Sequence, residues 1–441
     1  MALGGGIFLT QNKVLPGAYI NFVSAARATA SLSERGIASM PLILDWGVQG
    51  EMMTVTSGDF QKNSRKLFGY DYTDPKMKGL RDLFKNIRLA YLFRLGKEGT
   101  DASDGKKAAN TFATAKYAGS RGNALKVTIE ASVDNPSMFE VSLYLDNSLV
   151  DTQTVATASV LADNDFVNWE KTATLAVNAG MALTGGVSPT VKTGDFSDYL
   201  AAAEAYSFNS IGCPSDTLEV KSLFFAFTKR MRDEQGIKFQ CVTYNENADF
   251  EGVVNVKNKA VGADEEDYGA VWWVTGVVAG TAVNKAATNK KYDGEYTLDV
   301  ELTQLELENA IKNGQFAFHR VGSDVRVLSD INSLVNVTLE KGEDFKQNQT
   351  IRVIDQIAND IAVLFNTKYL GVVPNDDDGR ISLWSDIVHH HEQLQTIRAI
   401  ENFSGDNVQV FQGDSKRAVV VHDYIEVVNA MAQLYMTVTV A

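Results

Sequence analysis

Residues 101–195 carry a different pattern from the sequence on either side, and that interruption limits the fold more than any other feature. Inside it Asn, Thr, Ser, Ala, Val and Gly dominate, and short alternating runs follow one another: LKVTIEASV (125–133), FEVSLYL (139–145), LVDTQTVA (149–156) and MALTGGVSPTVK (181–192). Alternation with period two, broken by turn residues, is the signature of half-buried strands. The flanks GKEGTDASDGKK (96–107) and KTGDFSDY (192–199) read as linkers. The stretch is expected to be a β-rich domain inserted into its surroundings.

Those surroundings alternate strand and helix. PLILDWG (41–47) reads as the first buried strand, and LAYLFRLG (89–96) as another. Between them, 58–69 and 74–87 read as helices, with Asp59 and Asp74 as N-caps and Gly69 as the stop. After the insertion, 206–212 and 237–244 are predicted strands around a helix at 217–236, capped by Asp216 and closed by Gly236. LTQLELENAIKNG (302–314) carries a capping box, Thr303 with Glu306. FAFHRVGSDVRVLSD (316–330) predicts a hairpin turning at Gly322-Ser323. Two helices follow, one with Ile351, Ile354, Ile357, Ile361 and Leu364 on a face, the next with Ile381, Trp384, Ile387, Val388, His391, Leu394 and Ile397. The fold class is therefore α/β (α+β) and multidomain: a layered α/β core, an inserted β-rich domain, and extended strand arms at both ends. The expected divisions are an arm and linker at 1–36, core segments at 37–100 and 196–345, the insertion at 101–195, a C-terminal domain at 346–430 and an arm at 431–441.

Bulk numbers narrow the function. A hydrophobic content of 45% and a charged content of 22% are those of a folded soluble chain. No apolar run approaches the roughly 18–20 residues that span a bilayer; the most apolar, AVWWVTGVVAG (270–280), is too short. The start lacks the pattern of a secretory signal. A net charge of −14 argues against binding phosphate backbones. Cys213 and Cys241 are too few and too far apart for a disulfide framework or a zinc set, and Cys241 reads as a core residue.

The search for chemistry finds little. There is no phosphate loop and no nucleophile elbow. The three histidines of HHH (389–391) point about 100° apart on a helix, and none has a second histidine four residues away, so they read as a polar helix face with His391 half buried. PNDDDG (374–379) lacks the alternating ligands and closing Glu of a calcium loop and reads as an acidic turn. His422-Asp423 has no nucleophile placed beside it. Trp272 and Trp273 read as core and surface of one element. No catalytic residue, metal site or cofactor is predicted.

The ends of the chain carry the remaining signal. Leu434, Met436, Val438 and Val440 alternate with Tyr435, Thr437 and Thr439. Ala18, Ile20 and Phe22 alternate with Tyr19, Asn21 and Val23. Each is a strand pattern with reach: small and polar residues follow the first, and EVVNAMAQ (426–433) precedes the second. Each could fold onto its own sheet or add a strand to a neighbouring copy.

MALGGGIFLTQNKVLPGAYINFVS at the start, GYDYTDPKMKGLRDLF (69–84) and VVNAMAQLYMTVTVA at the end resemble the tail sheath proteins of contractile phages and phage-tail-like R-type bacteriocins, in the branch found in prophage tails of Gram-positive bacteria. The likeness covers the arm, both α/β segments and the C-terminal domain; the 101–195 insertion is the variable part. What it implies is a structural subunit and not an enzyme. Copies would stack as six-fold rings around a tail tube protein and meet baseplate and terminator proteins. They would touch no nucleic acid directly, and a membrane only through the injected tube. The arms Ala18–Val23 and Leu434–Val440 would pair with a neighbour's C-terminal domain, on strands near Val419, Val420 and Val421. The helices at 351–366 and 381–401 would face the tube. The particle would be built in the host cytoplasm. A soluble α/β enzyme with a β accessory domain, and a non-contractile surface or capsid lattice protein, are the other readings.

Overall fold

In the computed structural model, which describes residues 32–262 and 265–440, the first strand is Ile37–Leu42 (β1), earlier than the PLILDWG reading. Ala38 and Ser39 mute its strand pattern, yet every residue after Ile37 is buried, because β1 lies inside a sheet covered on both faces. Met52–Thr56 (β2) and Leu89–Arg94 (β3) follow. Between them run Ser57–Phe68 (α1) and Lys78–Phe84 (α2), the second entered through a 3₁₀ turn at Pro75–Met77. The cap of α1 is Thr56 rather than Asp59. Thr56 accepts from the Asp59 amide while the Asp59 carboxylate accepts from the Thr56 amide. Gly69 ends α1 at φ 79°, a left-handed position suited to glycine.

The insertion holds two small antiparallel sheets. Ala113–Ala115 (β4), Leu125–Ala131 (β5), Phe139–Leu145 (β6), Ser148–Val155 (β7), Val167–Trp169 (β8) and Asn178–Ala182 (β9) form a four-stranded sheet in the order β7-β6-β5-β9 and a β4-β8 pair. Val127, Ile129, Val141 and Leu143 build its core, and Trp46 from the α/β layer packs into it. Two expectations fail here. MALTGGVSPTVK contributes strand only at its first residues, within β9. The stretch predicted as a linker at 192–199 begins a helix, Thr193–Ala203 (α3). Its apolar stripe of Phe196, Tyr199, Leu200 and Ala203 is buried, but Gly194, Asp195 and Ser197 mask that spacing in the sequence.

The chain then returns to the first sheet. Ser210–Gly212 (β10), Leu218–Asp233 (α4), Gln240–Tyr244 (β11), Val253–Val256 (β12), Ala270–Gly280 (α5), Gln304–Lys312 (α6) and Gln315–Phe316 (β13) complete a seven-stranded sheet, ordered β13-β12-β11-β10-β1-β3-β2. All its pairings are parallel except β2 with β3. Phe318–Val321 (β14) and Asp324–Val327 (β15) form the hairpin around Gly322-Ser323. The Thr303–Glu306 capping box is present on α6. Asp216 does not cap α4, whose N-cap is Thr217 without a side-chain bond. Trp273 is buried in α5, donating to Asp293 at 2.7 Å, and Trp272 lies partly buried over Gly79 of α2. Both cysteines are buried, and burial pushes the Cys241 thiol up to about 12.

The next helix, Asn348–Leu364 (α7), is fixed to this layer by buried charge. Arg232 of α4 makes a two-pronged contact with Asp355 at 2.6 and 2.8 Å, and Arg352 reaches Asp330 at 2.9 Å. Both arginines are almost fully buried, and removing one partner from such a pair typically costs about 3–5 kcal/mol. The chain divides into two units, residues 33–358 with 427–440, and Leu32 with 359–426. In the second, Asp377–Thr396 (α8), Ile400–Glu401 (β16), Val408–Gln412 (β17) and Val419–Asp423 (β18) follow the end of α7. Asp376 of PNDDDG caps α8 by accepting from Gly379 at 2.9 Å, with Asp377 and Asp378 in the first turn. There their charges meet the positive end of the helix dipole.

Candidate assembly interface

The smaller unit is organised by α8. Trp384 donates from its ring nitrogen to the carbonyls of Gly405 and Val408 at 3.1 and 3.0 Å, which fixes the start of β17 to the helix. Asp386 accepts from Lys368 at 2.6 Å and from Tyr369 at 2.5 Å, tying α8 to the π turn Phe365–Tyr369 that ends α7. The hydrogen bond to Asp386 holds the Lys368 ammonium above its usual range despite some burial. Ile387, Val388 and Leu394 are buried as the apolar stripe requires, whereas Ile381, expected on that stripe, is exposed near the start of the helix.

β17 and β18 pair antiparallel, from Val408 opposite Asp423 to Gln412 opposite Val419. They form a two-stranded sheet, so each strand keeps one unpaired edge among the described residues. Val419 is half buried, and Val420 and Val421 are exposed at 42% and 38%. Beside β18 runs an open groove of about 370 Å³, lined by Ile361, Phe365, Leu383, Ile387, Val419 and Val421. It is mostly apolar, and β18 supplies one wall.

The C-terminal segment is anchored on α7. Gln349 of α7 donates to the Val428 carbonyl at 3.0 Å and accepts from the Ala430 amide at 2.9 Å. Asn429 donates to the Thr350 hydroxyl at 3.1 Å. Within the span EVVNAMAQ (426–433), residues 428–430 are thus held. Beyond them every residue to Val440 is exposed, and Leu434–Val440 forms no ladder with any described strand. Leu434 and Val440 are 85% and 88% exposed. At the other end, Gln356 donates to Ser33 at 2.6 Å and Arg35 to the Val278 carbonyl at 2.9 Å, so the described end of the first linker is held as well. The predicted strand Ala18–Val23 lies outside the described residues.

The three histidines separate. His389 is exposed, while His390 and His391 are both buried, correcting the half-buried expectation for His391. His390 meets Asp360 and His391 meets Asp423. Their companions come from other elements, so sequence spacing could not reveal them. Among the described residues no group of three or more His, Cys, Asp or Glu could hold a metal ion. His422 lies against Phe411.

Comparison with known proteins decides the family. Four family models cover the described sequence in turn: the N-terminal region of domain III of tail sheath protein Gp18 (35–95), the phage tail sheath beta-sandwich domain (103–188), its central domain (190–333) and its C-terminal domain (340–441). The chain belongs to the phage tail sheath protein family. Relatives of this sheath protein include the phage-like element PBSX protein XkdK of Bacillus subtilis, 32% identical over 99% of this chain and 100% of that one. The crystal structure of a sheath tail protein from Desulfitobacterium hafniense is 36% identical, covers 94% of this chain and 98% of its own, and superposes with a TM-score of 0.81. The helical sheath of the anti-feeding prophage in its contracted state, 12% identical, shares the fold with a TM-score of 0.58 over 97% of this sheath protein and 99% of that chain. The β-sandwich match falls on the insertion, and the C-terminal match on the groove and the exposed arm.

Proposed function

We propose that this sheath protein polymerises around a tail tube by strand exchange. Leu434–Val440 adds to the free edge of β18 in a neighbouring copy, with Ala18–Val23 serving as a second exchanged strand. The observation that carries this is the exposed arm itself: an alternating strand sequence without a described partner, in a chain that also offers an unpaired β18 edge over an apolar groove. An extended segment adding to a sheet edge is stabilised by main-chain hydrogen bonds, with side-chain pockets supplying register.

The magnitudes suit a reversible lattice contact. Four apolar side chains of the arm entering a groove contribute roughly 1.5–3 kcal/mol each. Fixing the seven backbone residues costs roughly 1–2 kcal/mol each. These terms nearly cancel, so main-chain bonds at roughly 0.5–1.5 kcal/mol each decide the outcome. One arm holds weakly, and many arms hold a lattice.

Copies stack as six-fold rings, with the C-terminal unit toward the tube and the insertion outward. The helices α7 and α8 contact the tube protein, and baseplate and terminator proteins cap the stack. The anchors at Gln349 and Ser33 set where each arm leaves its own subunit. Flexing beyond them lets the lattice shorten and widen without losing connectivity, a rigid-body switch on short hinges. That change drives the tube through the target envelope. The subunit is made in the host cytoplasm and works in the tail of a phage or bacteriocin particle; it does no catalysis.

The test is negative-stain electron microscopy of the purified full chain beside a chain lacking 434–441. Tubes from the first and folded, unassembled subunits from the second are expected. Tubes from the truncated chain, or its unfolding, would sink strand exchange.

A further inference from the structure

His390 and His391 sit side by side in α8, at 1% and 0% exposure, and each ring ends on a carboxylate. His390 Nε2 lies 3.0 Å from Asp360 Oδ2 on α7, and His391 Nε2 lies 2.8 Å from Asp423 Oδ2 at the end of β18. The inner nitrogens meet, Nδ1 to Nδ1, at 3.3 Å. An ionised carboxylate only accepts, so both Nε2 atoms donate. Two bare Nδ1 atoms would set lone pair against lone pair, and two protonated ones would set N–H against N–H. A single proton between them completes the chain of hydrogen bonds and makes one ring an imidazolium.

We propose that Asp360, His390, His391 and Asp423 form a one-proton switch that fixes the far end of the strand-receiving β18 to α8. That β18 receives an arm rests on the function proposed above; the shared proton and the lock do not.

The described surroundings are compatible with this assignment. On α8 itself, His389 and Glu392 are exposed and 4.0 Å apart. β17 packs on the same helix and contains no charged residue. On β18, the His422 ring lies against Phe411. In the turn after α8, Phe403 stacks on His391 with ring centres 5.1 Å apart, while Arg398, Glu401 and Asp406 are exposed. Of the described charged side chains in these elements, the two that bond the buried rings are the two carboxylates, and Asp360 has a further interaction besides. Asp423 keeps 26% of its side chain exposed, which gives the proton a route to solvent. When the proton leaves on the alkaline side, the inner hydrogen bond is lost and Asp423 no longer faces a cation. A buried charge-assisted bond is then replaced by opposed lone pairs.

The experiment uses the full chain labelled with ¹⁵N-histidine. Imidazole nitrogen shifts and hydrogen exchange of the Val419–Asp423 amides, corrected for intrinsic rate, are followed from pH 6 to 9. The expected result is one doubly protonated ring on the acid side, with β18 protection falling roughly tenfold as that proton is lost. His391→Gln, which keeps a donor toward Asp423 but cannot share the inner proton, should make β18 protection independent of pH. Two neutral rings throughout would overturn the proposal, and so would protection indifferent to their protonation. The wild-type titration decides even if the variant fails to fold. Tubes from the chain lacking 434–441 would refute arm reception while leaving these readouts to judge the switch.

Discussion

At the residue scale, Asp45 shows how a polar side chain joins the insertion to the layer beneath it. It accepts from Tyr70 at 2.8 Å, Lys76 at 3.1 Å and Ser120 of the insertion at 3.2 Å. Burial pushes its carboxyl up, but the hydrogen bonds from Tyr70 and Lys76 outweigh it and hold the group below the usual carboxylate range. A carboxyl depressed on folding stabilises above its unfolded value, about 3.9. That contribution is lost as pH falls through the lower folded value. The thermal midpoint of Asp45→Asn should therefore lie below that of the wild type at pH 6, and the gap should narrow as pH falls through the lower folded value. A gap that persists in acid would assign the loss to packing instead. Arg94 makes a second such link. Its buried guanidinium donates to the carbonyls of Leu44, Gly47 and, in the insertion, Ala118, and burial lowers its pKa to about 10. Neither link was legible from spacing, because Ser120 and Ala118 are far from their partners in sequence.

At the element scale, the groove beside β18 can be tested without touching the strand. Ala362 lies on the exposed side of α7 and lines the groove. Ala362→Trp should fill it with little effect on the monomer, since exposed substitutions usually change stability by no more than about 0.5 kcal/mol. The expected outcome is an unchanged melting temperature and loss of tubes by electron microscopy. Normal tubes from this variant would show that the arm docks elsewhere. Elements with a strong period were legible in advance: α1, β3, α6 with its capping box, α7, α8 and the β14–β15 hairpin. β1 and α3 were not, because their buried residues are small or interrupted by polar ones. Their state is set by the neighbours that cover them. The edge strand β2, MMTVT, was passed over because its register comes from pairing with β3.

At the scale of the whole molecule, a net charge of −14 opposes the packing of copies into a lattice. Screening shortens that repulsion to about 10 Å at 0.1 M salt. The concentration needed for tube formation should therefore fall as sodium chloride rises from about 0.02 to 0.2 M. Sedimentation of assembled material would measure it. A rise with salt would mean that complementary charged patches, not apolar docking, dominate the contacts.

The sequence by itself determined the class of the fold and the β-rich character of residues 101–195. Those follow from local periodicity and from turn and cap chemistry, which act over a few residues. Only the tertiary structure decided that β1 and β10 pair across the insertion, that His390 and His391 each face a carboxylate, and that residues 428–430 are held while those beyond stay exposed. These are contacts between residues far apart in the chain. They are selected by burial, where an unpaired polar group is costly, and a linear pattern carries no record of which distant partner will satisfy it.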